Sequence, residues 1–104
     1  MSGYGFVADL RAAVSVPEDG ILSRTIHEDE RCTLVVFAFD AGQELSEHTS
    51  ARAALIEVLD GEAEVVLDGE AREAGPGTWI AMPPGMQHAI RAITPLVMVL
   101  TLLR

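Results

Sequence analysis

Short β-prone runs, separated by turn residues at intervals of about ten positions, constrain this chain more than any other feature. The turn signals are "PEDG" at 17–20, "HEDE" at 27–30, "DAGQ" at 40–43, "DG" at 60–61 and 68–69, "GPG" at 75–77 and "PPG" at 83–85. Between them lie "ILSRTI", "CTLVVFAF", "ALIEVL", "AEVVL", "TWIAM", "HAIRAI" and "LVMVLTLL". Branched and aromatic side chains suit a pleated, half-buried surface, so this spacing predicts an all-β sandwich or barrel. Helix signals are weak: "VADLRAAV" at 7–14 fits a turn or two of helix about as well as a strand. No repeat or low-complexity linker interrupts the chain, and one domain over residues 1–104 is expected.

The stiffest of these turns stands directly before a histidine. In "GTWIAMPPGMQHA", residues 77–89, Pro83 and Pro84 fix φ and offer no backbone donor, while Gly85 supplies a positive φ. The stretch reads as strand, rigid corner, strand, with His88 opening the second strand. A rigid corner fixes the direction of an imidazole, as a ligand or a base requires. A histidine that only caps a turn fits these residues equally well.

Two runs, "CTLVVFAF" and "LVMVLTLL", are apolar at both parities, whereas a strand with one wet face alternates. A second sheet, the N-terminal segment or a second subunit must cover their outer faces. The C-terminal run favours a subunit, hence a homodimer.

Charge narrows the choice of partner. The net charge is −9 and all seven cations are scattered arginines, which argues against nucleic acid and anionic membranes, both of which need clustered cations. Neutral or cationic small molecules are favoured. No apolar run approaches the roughly 20 residues of a spanning helix, and "MSGYGFVADL" lacks the layout of a signal peptide. The lone Cys32 excludes an internal disulfide and fits the reducing cytoplasm. Arginine without lysine, together with abundant alanine, points to a GC-rich bacterial genome.

His48 is a second histidine behind a turn, in "GQELSEH". Here the chain resembles the cupin superfamily, in particular its small, RmlC-like members. Their second motif, G-x5-P-x-G-x2-H-x3-N, matches at Gly77, Pro83, Gly85 and His88, with Ala92 at the asparagine position. Their first motif, G-x5-H-x-H-x3-E-x6-G, matches at Gly42, His48 and Gly61, but its second histidine is Ser50 and its glutamate is Ala54. The resemblance covers roughly residues 33–103 and implies a double-stranded β-helix, or jelly-roll barrel, with both histidines at its mouth.

The resemblance also implies a divalent metal, such as Ni, Zn, Fe or Mn, on the motif histidines and the glutamate. Ser50 and Ala54 leave only His48 and His88, fewer than the three protein ligands usual for catalytic zinc or non-haem iron. Glu44 shares parity with His48, but about 13 Å separates such positions along a strand. Glu47 faces the other way unless a bulge intervenes. His27 reads as a surface residue, and Cys32 has no assigned place.

By parity, Ser50 and Ala54 share a face with His48, and Ile90 shares one with His88. Met82 belongs to the inward set of its strand, so Ser50, Ala54, Met82 and Ile90 are the expected pocket wall. Three functions follow: a non-catalytic or sensory small-molecule binder, a metal-dependent dioxygenase- or isomerase-type enzyme with a two-histidine centre, or a metal-free acid–base enzyme. A barrel whose histidines only satisfy turn hydrogen bonds is the alternative to all three.

Overall fold

Aspartate and glycine shape the corners of this chain because they tolerate positive φ. In the computed structural model, which describes residues 3–104, Asp68 (φ 51°) and Gly69 (φ 83°) form a two-residue hairpin turn. Met1 and Ser2, part of the expected 1–104 domain, lie outside the described residues. The strands are β1 (Ile21–Glu28), β2 (Cys32–Phe39), β3 (Glu44–His48), β4 (Ala54–Asp60), β5 (Ala63–Leu67), β6 (Glu70–Ala74), β7 (Trp79–Met82), β8 (His88–Ala92) and β9 (Leu96–Leu103). A five-stranded sheet in the order β1-β2-β9-β4-β7 faces a four-stranded sheet in the order β3-β8-β5-β6, and every pairing is antiparallel. This is the expected all-β barrel of two facing antiparallel sheets. No helix among the described residues is long and apolar enough to cross a membrane.

The proline corner acts between the sheets. β7 belongs to the first sheet and β8 to the second, so Pro83–Gly85 carries the chain across instead of closing a hairpin. Gly85 takes a φ of 81° and donates its N–H to the Ser50 carbonyl at 2.8 Å, which ties the corner to the loop after β3.

The inner faces of the two sheets form one core. Phe39, Ile56, Val58, Leu96 and Met98 come from the first sheet, and Val65, Ile90 and Ala92 from the second. Each fully buried large side chain contributes roughly 1.5–3 kcal/mol of hydrophobic stabilisation. A second cluster lies on the outer face of the five-stranded sheet, where Val14, with Leu10 and Ala13, packs on Val36, Ala38, Val97 and Val99. Part of the second apolar face of β2 and β9 is therefore covered by the N-terminal segment. The two readings of residues 7–14 resolve to a short 3-10 turn, Leu10–Ala13, whose N-cap Asp9 accepts from the Arg11 N–H at 3.0 Å.

β3 and β6 are not among the apolar runs of the sequence. Both lie at the edges of the four-stranded sheet and are mostly exposed. Edge strands tolerate, and use, charged residues, so "ELSEH" and "EAREA" carry little apolar signal.

A shift in β3 also overturns the parity argument for Glu44. Glu44 pairs with Arg91 and Leu45 with Ile90, but His48 pairs with His88, so the register slips between Leu45 and His48. Leu45, packed against the core, therefore shares the inner side with His48, and Glu44 is exposed.

Candidate functional site

His48 ends β3 and His88 begins β8, and the two residues are direct cross-strand partners. Their ring centroids are 4.1 Å apart with planes inclined by 59°. His88 is buried at 6% exposure, while His48 is open to solvent. The β3 irregularity places His48 opposite His88, and the Pro83–Gly85 corner delivers His88.

Both rings are oriented by the same device. His48 Nδ1 lies 2.7 Å from the Ser46 carbonyl oxygen, and His88 Nδ1 lies 3.1 Å from the Met86 carbonyl oxygen. A carbonyl oxygen can only accept, so each Nδ1 carries the proton and donates it. In the neutral imidazole, Nε2 is then a bare lone pair. The two histidines thus offer matched acceptors side by side.

The other expected wall residues occupy two kinds of place. Ala54 pairs with Met82 and Leu102 in the five-stranded sheet, while Ile90 pairs with Leu45 and Val65 in the four-stranded one. Ala54, Met82 and Ile90 are buried in the central core, against which Leu45, Met86 and Leu102 also pack. Ser50 is in the loop after β3 and not in a strand, so strand parity does not extend to it. Its hydroxyl accepts from the Arg52 N–H at 3.1 Å and its carbonyl from Gly85, which makes it a turn-former. Gly42, Gly61, Gly77 and Gly85 all take positive φ, as turn positions do, and Pro83 opens the corner. Concavities of about 570, 430 and 250 Å³ lie along the N-terminal segment and the outer sheet face, and none is lined by His48 or His88.

The resident metal implied by the cupin resemblance does not fit the donors at this pair. Among the described residues, the one group of three or more histidine, cysteine or carboxylate donors close enough to share an ion is His27, Asp29 and Cys32, which contains neither motif histidine. Two imidazoles leave most of an ion's coordination to water, too little for a tightly held centre.

Arg52 has a structural role that its sequence context did not suggest. Its guanidinium donates to the Leu102 and Leu103 carbonyls at 2.8 and 3.1 Å and to the Thr33 hydroxyl at 3.3 Å. It pins the loop that holds Ser50, and through Ser50 the corner before His88. Only contacts 19 to 51 residues away in sequence disclose this, so no local signal could have found it.

Comparison with known proteins bears on this geometry. The chain is similar over 99% of its length, at 33% identity and a TM-score of 0.86, to a conserved protein of unknown function from Streptococcus pyogenes, 90% of which is covered. KdgF from a Halomonas species is 31% identical, with 84% of this chain and 83% of that one covered and a TM-score of 0.74. A cupin superfamily protein from Desulfitobacterium hafniense shares the fold, at 24% identity, 90% and 86% coverage and a TM-score of 0.85. No curated protein matches the chain. The cupin domain family matches residues 35–102, which span both histidines and both motif turns, and the chain therefore belongs to the cupins.

Proposed function

We propose that this cupin binds a small molecule at the His48–His88 pair, in a non-catalytic or sensory role. The observation that carries the reading is the matched pair of Nδ1 hydrogen bonds, which leaves the Nε2 of each of two neighbouring rings as an acceptor. Two lone pairs side by side suit a ligand that donates two hydrogen bonds, such as a vicinal diol or a primary ammonium group. The net charge of −9 favours a neutral or cationic ligand over an anionic one.

The same orientation of the rings supports a second reading, a metal-dependent dioxygenase- or isomerase-type enzyme, because metal-bound histidines are commonly fixed through their other nitrogen. Histidine ring 15N shifts, followed during titration with monosaccharides, polyols and primary amines in the presence of chelator, separate the two. The expected result is a shift of both Nε2 signals with at least one of these probes. Stoichiometric metal retained through purification, with ring shifts only in the metal-loaded protein, would replace the binding reading with the enzyme.

A further inference from the structure

His27, Asp29 and Cys32 surround the turn between β1 and β2, away from the histidine pair. Strand alternation alone would set His27 on the same face as Thr25. The β1–β2 register slips between Thr25 and His27, so that Thr25 pairs with Val35 but His27 pairs with Leu34. Leu34 belongs to the outer cluster of the five-stranded sheet, and His27 is thereby turned to that outer side. Cys32, two residues before Leu34 on β2, has the same parity and faces the same side.

Asp29 occupies the turn between them. Its Oδ1 accepts the N–H groups of Arg31 and Cys32 at 2.7 and 3.0 Å, and its N–H donates to the Cys32 carbonyl at 2.9 Å. The other oxygen, Oδ2, is 2.8 Å from His27 Nε2 and 3.8 Å from an Arg31 guanidinium nitrogen. One ligand atom from each of His27, Asp29 and Cys32 lies within 4.8 Å of both others.

We propose that His27, Asp29 and Cys32 form a site for a borderline divalent cation of the zinc type on the outer face of the five-stranded sheet. An imidazole nitrogen, a carboxylate oxygen and a thiolate are a mixed donor set that favours zinc over magnesium or calcium, which take oxygen alone. Tetrahedral zinc with such ligands needs donor separations of about 3.3–3.8 Å, so closing the set requires movements of about 1 Å. On binding, the Cys32 sulfur gives its proton to solvent and forms the metal–sulfur bond. The imidazole proton shared with Asp29 moves to Nδ1, which frees Nε2 for the ion. Three protein ligands leave a fourth position open. His27 also lines the cavity of about 570 Å³ walled by Phe6, Val7, Leu10, Ile26 and Leu34, so a small ligand with an apolar body could reach that position.

The site is independent of the function proposed for His48 and His88, and its test removes them. In the His48→Ala/His88→Ala double variant, titration with Co²⁺ as a probe should produce a thiolate-to-cobalt charge-transfer band, and Zn²⁺ should abolish it. Adding Cys32→Ser should eliminate the band. Adding His27→Ala, which leaves the Asp29 turn hydrogen bonds in place, should weaken Co²⁺ binding by roughly tenfold or more. Circular dichroism should show the barrel intact in each variant. Absence of the band in the double variant, its survival after Cys32→Ser, or unchanged affinity after His27→Ala would each overturn the proposal.

Discussion

Gly61 and Gly85 take nearly the same φ, 87° and 81°, in different surroundings. A Cβ on Gly85 would meet nothing within 4 Å, whereas one on Gly61 would lie 2.0 Å from the Pro95 carbonyl oxygen and 2.9 Å from Leu96 Cα. Both atoms are backbone, so neither can rotate aside. Gly85→Ala should therefore cost about 1 kcal/mol for left-handed strain alone. Gly61→Ala should cost about 3 kcal/mol or more, because the chain must move as well. Urea denaturation of both variants checks the order, and equal midpoints would contradict it. The two vacant motif positions also lend themselves to substitution. Ala54 is buried beside Met82 and Leu102, so Ser50→His with Ala54→Glu places a carboxylate in an apolar environment. With chelator present, the double variant should lose about 3 kcal/mol or more. A Ni²⁺ excess a thousandfold over Kd should restore about 4 kcal/mol. Thermal melts with Ni²⁺ and with chelator measure both changes, and absence of a Ni²⁺ shift would mean that the four positions do not converge.

Two strands owe their side-chain placement to register shifts. The slip in β1 re-aims His27 and the slip in β3 re-aims His48, so each histidine's face depends on one local irregularity. The turn after β1 also carries a pH-dependent contribution. The His27 imidazole, then the N–H groups of Arg31 and Cys32, hold the Asp29 carboxyl well below the usual carboxylate range. A lowered native pKa stabilises the fold above the unfolded value of about 3.9, and this contribution is lost as pH falls through the native pKa. Asp29→Asn should thus lower stability at neutral pH and flatten the acid limb of the stability profile, as urea midpoints across pH will show. Val14 is the buried anchor of the N-terminal segment in the outer cluster, with Leu10 and Ala13 packed beside it. Val14→Asp should cost about 2–3 kcal/mol by burying an unpaired charge or undocking the segment. Limited proteolysis should then cut before Ile21 faster than in the wild type.

Large apolar side chains remain exposed after the N-terminal segment has docked. Tyr4 and Phe6 are 79% and 81% exposed, and Trp79, on edge strand β7, is 63% exposed. Beside Trp79, a groove of about 250 Å³ includes Leu10, Leu34, Leu55 and Val99. A homodimer through this face is the expected solution state, and an obligate interface would bury on the order of 2,000 Å² or more. Light scattering should give twice the chain mass of 11.1 kDa at micromolar concentration. Trp79 is the only tryptophan, so its emission should shift to longer wavelength on dilution. Trp79→Glu should give a folded monomer, and wild-type protein that scatters as a monomer would rule the dimer out.

Periodicity and turn chemistry were enough to define the barrel. "CTLVVFAF", "AEVVL" and "LVMVLTLL" coincide with β2, β5 and β9 because central strands are apolar and bounded by turn residues. Motif spacing likewise identified His48 and His88, since glycines and prolines at fixed offsets set the corners around them. Strands β3 and β6 are absent from the apolar runs because solvent, not the core, sets the composition of these edge strands. The direction of His48, the grouping of His27 with Asp29 and Cys32, and the anchoring of the Ser50 loop by Arg52 were decided only in three dimensions. A bulge shifts every later side chain by one face and leaves no mark in composition, and the Arg52 contacts join segments fifty residues apart. Local sequence encodes local dihedral preference and burial, whereas register and long-range partners are settled only when the sheets close on one another.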